Sequence, residues 1–269
     1  MKTPFCKATM MDEGFKDHLK AFLEEGPDIY LPNLSIDCVI FAYQEGKLKV
    51  LLPQFWELDL SVLPGGFVGK AEDIDTAAHR ILEERTGLGD IFLQQFKVFG
   101  RAERAFESEM IAVLNRLEIP IEQATWMMQR FVTIGYYALI RAEEAALSPG
   151  PFSQNLIWAD ANELPQMALD HAEIIQSARA LLMSEISHQP VAKSLLPPNF
   201  TIPELQGLYE TILDRSIDRG NFRKKVLKAN ILEKLDRQKT GGAHRAPQLY
   251  RFHPDHYPES LHEKVKMGF

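Results

Sequence analysis

Two short stretches carry residue types that can do chemistry. The first, "PGGFVGKAEDIDTAAHRILEERTGL" (64–88), sets a Gly-Gly turn ahead of a run with helical periodicity from about Asp73 to Thr86. At 3.6 residues per turn, positions 81, 84 and 85 share one face of that helix, and they hold Ile81, Glu84 and Arg85. One carboxylate beside a cation is too few oxygen ligands for Mg²⁺, which takes a near-octahedral shell of oxygens. Glu83 lies roughly half a turn from Ile81 and Arg85, and Glu72 precedes the helix, so neither completes a set. A guanidinium at position 85 can instead accept an anionic ligand directly, or it can pair with a nearby acid. Ile74, Ala77, Ala78, Ile81 and Leu82 form an i, i+3, i+4, i+7, i+8 stripe, which predicts core packing for Ile81.

The second stretch is "DRGNFRKKVLKAN" (218–230). As a helix it turns Phe222, Val226 and Leu227 toward a core and leaves Asn221, Arg223, Lys224 and Lys228 outward. Arg and Asn read guanine and adenine edges, whereas Lys224, Lys225 and Lys228 suit phosphates, which position without specifying. The surrounding charge agrees. Residues 215–251 contain 11 Lys/Arg and 3 Asp/Glu, a net of +8, against −15 for the rest of the chain. An acidic body with a short basic module is the asymmetry expected of a DNA-binding appendage.

Elements must hold these stretches in place. A helix is predicted at 12–25, then a hairpin from "SIDCVIFAY" through Glu45-Gly46 to "KLKVLLP". Strands follow at 91–100, 130–140 and "NLIWAD", with a helical insertion at 101–129 whose Trp126, Met127 and Met128 point to a buried contact. "ALDHAEIIQSARALLMSEI" reads as an amphipathic helix with Asp170 as N-cap. Three prolines within 187–200 mark a junction, after which Thr201, Pro203 and Glu204 spell a capped helix start. "ILEKLD" and "LYRFHP" are two strands around a polar loop. The expected organisation is a helical extension at 1–34, an α/β domain at 35–187, a linker at 188–200 and a basic domain at 201–269.

The 269 residues, 45% hydrophobic and 25% charged, suffice for a sizeable core. No apolar leader region and no run of about 18 apolar residues is present, so neither secretion nor a membrane span is expected. Two cysteines, Cys6 and Cys38, do not make a disulfide framework, and free thiols in a reducing cytoplasm are expected.

The spacing Gly66-x5-Glu72-x7-Arg80, followed by Leu82, Glu84, Gly87 and Leu88, resembles the Nudix box of hydrolases that cleave nucleoside diphosphate derivatives. Ile81 and Arg85 stand where that family carries two of its three metal-binding glutamates. The resemblance therefore implies a Nudix-like α/β/α sandwich with no tightly held metal and slow or absent hydrolysis. The basic tail, "LPPNFTIPELQGLYETILDRSIDRGNFRKKVLKANILEKLD" and "LYRF", resembles the C-terminal winged helix-turn-helix of the NrtR-type Nudix-related transcriptional regulators. "IDCVIFAY", "LPGGFV", "QQFKVFG", "IGYYALI" and "ELPQMALDHAEII" are similar to that family too. The resemblance, from about Ser35 to Tyr257, implies a cytoplasmic, homodimeric repressor or activator that binds operator DNA. It also implies a small-molecule effector: ADP-ribose or a related NAD-pathway compound, with a sugar or sugar phosphate as the alternative.

On this reading Gly65, Gly66, Arg80, Arg85, Arg101 and Arg104 are the ligand-binding candidates, and Glu72, Arg80 and Glu84 are residual Nudix positions. Arg219, Asn221, Arg223, Lys224, Lys225 and Lys228 are the DNA contacts of a recognition helix, with Lys239, His244 and Arg245 on the wing "KTGGAHR". The chain departs from the family where a short Arg-Asp-rich loop becomes the 101–129 insertion, which can close over the pocket or join a dimer interface. The competing reading is an active hydrolase using Mg²⁺ on Glu72, Glu84 and an insertion acid such as Glu103, Glu107 or Glu109. Regulation of a protein partner is a third.

Overall fold

The computed structural model describes residues 13–55, 60–187, 190–238 and 247–255. The elements in chain order are α1 (Glu13–Ile29), β1 (Tyr30–Gln44), β2 (Lys47–Phe55), β3 (Gly65–Gly69), α2 (Ile74–Thr86), β4 (Gln94–Phe99) and α3 (Glu107–Leu117). There follow β5 (Val132–Leu139), β6 (Ser153–Asp160), α4 (His171–Glu185), α5 (Val191–Leu195), α6 (Ile202–Leu213), α7 (Arg219–Lys228), β7 (Leu232–Gln238) and β8 (Gln248–Phe252).

Six strands make one mixed sheet in the order β4-β5-β1-β2-β6, with β3 also paired to β1. β1 and β5 run parallel, Leu34 beside Val132 through Phe41 beside Leu139, and the other pairs are antiparallel. Alternation along β1 divides the molecule. Ile36, Cys38 and Ile40 face Ala77, Ala78, Ile81 and Leu82 of α2. Val39 and Phe41 face Ile174, Ile175, Ala178 and Leu182 of α4. Helix, sheet and helix form the expected α/β/α sandwich. Asp37 has the parity of Val39 and Phe41, so a carboxylate enters the α4 side of the sheet.

The two additions to this sandwich pack on each other. Phe15, Leu19 and Leu23 of α1 meet Met110, Val113, Leu114 and Leu117 of α3 in a third, separate core. Trp126 locks the pair: its Nε1–H donates to the Leu23 carbonyl at 3.1 Å, and its ring fills the space that a side chain at Gly26 would need. The insertion thus covers the sheet together with α1.

Three expectations change. β1 begins at Tyr30, earlier than Ser35. The segment 190–200, expected as part of an irregular linker, contains α5, and Val191, Ala192, Leu195, Leu196 and Phe200 are buried. Its prolines bracket a single helical turn rather than preventing one. These residues carry the α4 core without a break into Leu205, Leu208 and Tyr209 of α6, Phe222 and Val226 of α7, and Tyr250 of β8. Asp170 stands at the N-cap position of α4 but makes no capping bond, because its carboxylate is taken by Arg104. By contrast Thr201 forms the full capping box with Glu204 at the start of α6.

Candidate functional site

A cavity of about 150 Å³ lies between the β1/β3 part of the sheet and the roof made by α1 and the insertion. Leu19 and Phe22 of α1 close it from above, with Phe106, Met110 and Met127 of the insertion. Its floor includes Ser35, Asp37, Gly65, Gly66 and Phe67, and Arg85, Phe131, Phe152 and His171 complete the walls. The lining is chiefly apolar and aromatic, with few polar groups, a composition typical of small-molecule sites.

Each feature of the floor has a local cause. A side chain at Gly66 would press on Ile81 at 3.0 Å, so the glycine lets α2 sit close under β3. Ile81 is 1% exposed and belongs to the core, as its place in the apolar stripe predicts. At Gly65 an added Cβ would lie 2.3 Å from Asp37 Oδ1. Arg85, one turn beyond Ile81, reaches back to the same place: its Nε–H donates to the Gly65 carbonyl at 2.9 Å. Its guanidinium lies 4.7 Å over the Phe152 ring. The ion pair considered from sequence does not form. Among the described residues no carboxylate pairs with Arg85, and burial is the main influence holding its pKa below the ordinary arginine value, with Glu84 opposing. A half-buried cation with no paired carboxylate among the described residues therefore faces the cavity.

The residual Nudix acids are committed elsewhere. Arg80 grips Glu72 through Nε at 2.9 Å and Nη2 at 2.5 Å, reaches Glu84 at 3.0 Å, and donates to the Phe67 carbonyl at 3.0 Å. Glu72 also accepts the Gly69 N–H, and these contacts, Arg80 first, hold its pKa below the usual value. Arg80 thus ties β3, in which the expected Gly-Gly turn is the start of a strand paired to β1, to α2, and it does not line the cavity. Glu84 is half-exposed. Among the described residues no three His, Cys, Asp or Glu side chains are grouped to hold a metal ion. With Ile81 buried and Arg85 on the same face, this donor set does not fit a Mg²⁺ centre.

Arg101 and Arg104 also sit apart from the expected ligand position. Arg101 is exposed and pairs with Glu173 at 2.9 Å. Arg104 is 4% exposed and lies behind Asp37. Its Nη2 donates to Asp37 Oδ2 at 2.9 Å, its Nε to both Asp170 oxygens at 2.9 and 3.0 Å, and its plane stacks on Phe131 at 4.3 Å. The insertion is thereby tied to β1 and to the start of α4. Next to it the Leu63 N–H donates to His171 Nδ1 at 3.0 Å, so the neutral ring carries its proton on Nε2, which faces Asp37 Oδ1 at 3.6 Å. Burial is the first cause of a lowered pKa at His171, with Asp37 opposing, which favours that neutral form. Asp37 and His171 are not among the residues that the sequence motifs single out. The available signal was an acid inside the apolar strand "SIDCVIFAY", because a carboxylate in such a run needs a partner.

Far from the cavity, α7 presents the expected basic face. Asp218 caps it by accepting the Asn221 N–H at 2.8 Å. Phe222 and Val226 are buried, and Arg219, Asn221, Arg223, Lys224, Lys225 and Lys228 are exposed. Leu227, expected toward the core, is instead 43% exposed, because α7 rests on α6 through the narrower Phe222/Val226 seam. The turn before α7 is braced by Glu210, whose Oε1 accepts the Ile217 N–H at 2.8 Å and the Gln206 amide at 3.0 Å. Phe200 pairs with Tyr250 of β8, so a strand bridge closes the helix pair against the β7–β8 hairpin. Lys239, His244 and Arg245 lie outside the described residues.

A helix-turn-helix closed by a hairpin, on a Nudix-like sandwich, is matched among known proteins. Residues 192–252 match the family model of the NrtR DNA-binding winged helix domain. The ADPR responsive transcriptional repressor NtrR of Acinetobacter baylyi is 31% identical over 228 residues, covering 82% of each chain. The chain belongs to the NrtR family of transcriptional regulators. The crystal structure of Shewanella oneidensis NrtR complexed with a 27mer DNA is similar, at 25% identity and a TM-score of 0.64, covering 88% of this chain and 99% of that one. A MutT/nudix family protein from Enterococcus faecalis shares the fold, with a TM-score of 0.58 at 22% identity. The NrtR winged-helix match begins inside α5, which agrees with the buried rather than linker-like character of that segment.

Proposed function

We propose that this NrtR-family chain is a cytoplasmic, homodimeric repressor. It binds operator DNA through α7 and releases it when ADP-ribose, or a related NAD-pathway compound, occupies the cavity without being cleaved. The observation that carries this reading is Arg85. It places a cation with no acid partner among the described residues on the helix face where a hydrolase holds its metal, beside a cavity that shares a continuous structure with an exposed basic helix. A guanidinium there offers a diphosphate directional, charge-assisted hydrogen bonds and needs no metal. The ADPR-responsive repressor of Acinetobacter baylyi supports the effector, and the DNA complex of the Shewanella oneidensis protein supports the partner.

Helix α4 is the physical route between the two sites. Its first residue, His171, lines the cavity and its N-cap residue, Asp170, holds Arg104 behind Asp37, and beyond its last turn the Ile186 carbonyl accepts the Tyr209 hydroxyl of α6 at 3.2 Å. A ligand that shifts the start of α4 tilts α6 and α7 with it. Two recognition helices in a dimer must match a fixed half-site spacing, so a small rotation changes DNA affinity.

The test is fluorescence anisotropy of duplexes from upstream of the protein's own gene and its neighbours, at two salt concentrations, with ADP-ribose, NAD and several sugars added in turn. Salt-sensitive binding that ADP-ribose reverses supports the reading. Binding that responds only to a sugar replaces the effector. Failure to bind any duplex above a scrambled control removes the DNA-binding assignment for those sites.

A further inference from the structure

Resting on the proposal that the effector is a nucleotide, we propose that the cavity reads a 6-aminopurine base, with Asp37 and His171 as the specificity-determining pair and Arg85 receiving the phosphates. The walls decide between the parts of such a ligand. A sugar brings several hydroxyls, and a cavity lined by Phe22, Phe55, Phe67, Phe106, Phe131 and Phe152 leaves most of them unpaired. A base brings a flat π-face and few polar atoms, which aromatic walls accommodate.

Size agrees. A cavity of about 150 Å³ is of the class that accepts a single aromatic ring system and not an entire dinucleotide-like molecule. The remainder of the ligand must extend past Gly65, along the wall that Arg85 forms and on toward solvent.

The polar atoms fit one edge of one base. Asp37 Oδ1 is an acceptor that faces the cavity, while Oδ2 takes the Arg104 Nη2–H. His171 Nε2–H, 3.6 Å from it, is a donor, because Leu63 N–H occupies Nδ1. An acceptor beside a donor complements the amino group of adenine and its adjacent ring nitrogen. A 6-oxo purine turns an oxygen toward the carboxylate instead, leaving the hydrogen bond unmade and two acceptors opposed. Gly65 separates this pair from Arg85: its missing side chain leaves Oδ1 open, and its carbonyl holds the guanidinium. A base on Asp37 thus directs its ribose-linked phosphates along Gly65 and Gly66 of β3 toward Arg85.

The experiment is isothermal calorimetry of the full-length protein with ADP-ribose, ADP, IDP and ribose 5-phosphate, repeated with Asp37→Asn. The expected result is that ADP-ribose and ADP bind, and IDP binds more weakly than ADP by about 10- to 150-fold, the factor a hydrogen bond to a charged group commonly carries. Ribose 5-phosphate should not displace ADP. In D37N an amide can donate to the 6-oxo group, so the ADP/IDP ratio should fall toward or below one, a ratio that does not depend on the fraction folded. If ADP-ribose binds but IDP matches ADP within twofold, the base placement is overturned and the effector reading stands. The same follows if neither ADP nor IDP binds, or if ribose 5-phosphate competes. If ADP-ribose itself does not bind, both fall.

Discussion

Replacing Arg85 by alanine separates ligand recognition from stability, and the structure sets both magnitudes. Among the described residues Arg85 makes one hydrogen bond, to the Gly65 carbonyl at 2.9 Å, and one ring contact, to Phe152. Those contacts contribute roughly 1–3 kcal/mol together. Opposing them is the cost of holding a half-buried cation with no acid partner. The net change in folding stability in Arg85→Ala is therefore expected within about 1–2 kcal/mol. The bound phosphate has no such offset. Losing a charge-assisted hydrogen bond to it costs about 1.5–3 kcal/mol, or roughly 10- to 150-fold in Kd. Arg85→Lys keeps a charge but loses the planar fork and the ring stacking, so its affinity should fall between the two. Calorimetric titration with ADP-ribose, run beside a thermal melt, measures both quantities. A variant that melts within a few degrees of the parent and binds ADP-ribose within twofold of it would refute the assignment of Arg85 to the ligand.

Four further outcomes are expected. In the winged helix, Lys224→Ala and Lys228→Ala should each lower the slope of log K against log salt by about 1, whereas Asn221→Ala should cost about 1–3 kcal/mol of preference for operator over scrambled duplex; anisotropy titrations at several salt concentrations distinguish the two classes. Because one apolar core runs from α4 into α7, differential scanning calorimetry should show a single cooperative transition for the sandwich and the winged helix, and two separated transitions would contradict the shared core. Gly26→Val would set a Cβ 2.3 Å from the Trp126 ring, so it should destabilise by about 1–3 kcal/mol and shift tryptophan emission to the red as α1 parts from the insertion. The Glu72 pKa is lowered from 4.5, so its pairing with Arg80 stabilises the fold fully above about pH 4.5 and is lost as pH falls through the lower folded value; Glu72→Gln should remove that acid limb from a plot of stability against pH.

Much of this protein was legible in the residues alone, where the relevant physics is local. The Thr201/Glu204 capping box, the Glu45-Gly46 hairpin, the apolar stripe that buries Ile81, and the exposed cations of α7 all follow from periods of 2 and 3.6 and from short-range hydrogen bonds. The absence of a carboxylate set on the α2 face was equally visible, because positions 81, 84 and 85 share that face whatever the rest of the chain does. Only the tertiary structure decided which arginines face the cavity. Arg85, Arg101 and Arg104 are alike as residue types, yet long-range packing gives one an open position over Gly65, one a surface partner in Glu173, and one a buried place between Asp37 and Asp170. Asp37 and Arg104 are 67 positions apart, and Leu63 and His171 are 108 apart. No periodicity in one sequence encodes such pairings. The same holds for α1 and α3, whose apolar faces each predicted burial but named no partner, since hydrophobic burial is non-directional and only the assembled sheet brings the two helices together over the cavity.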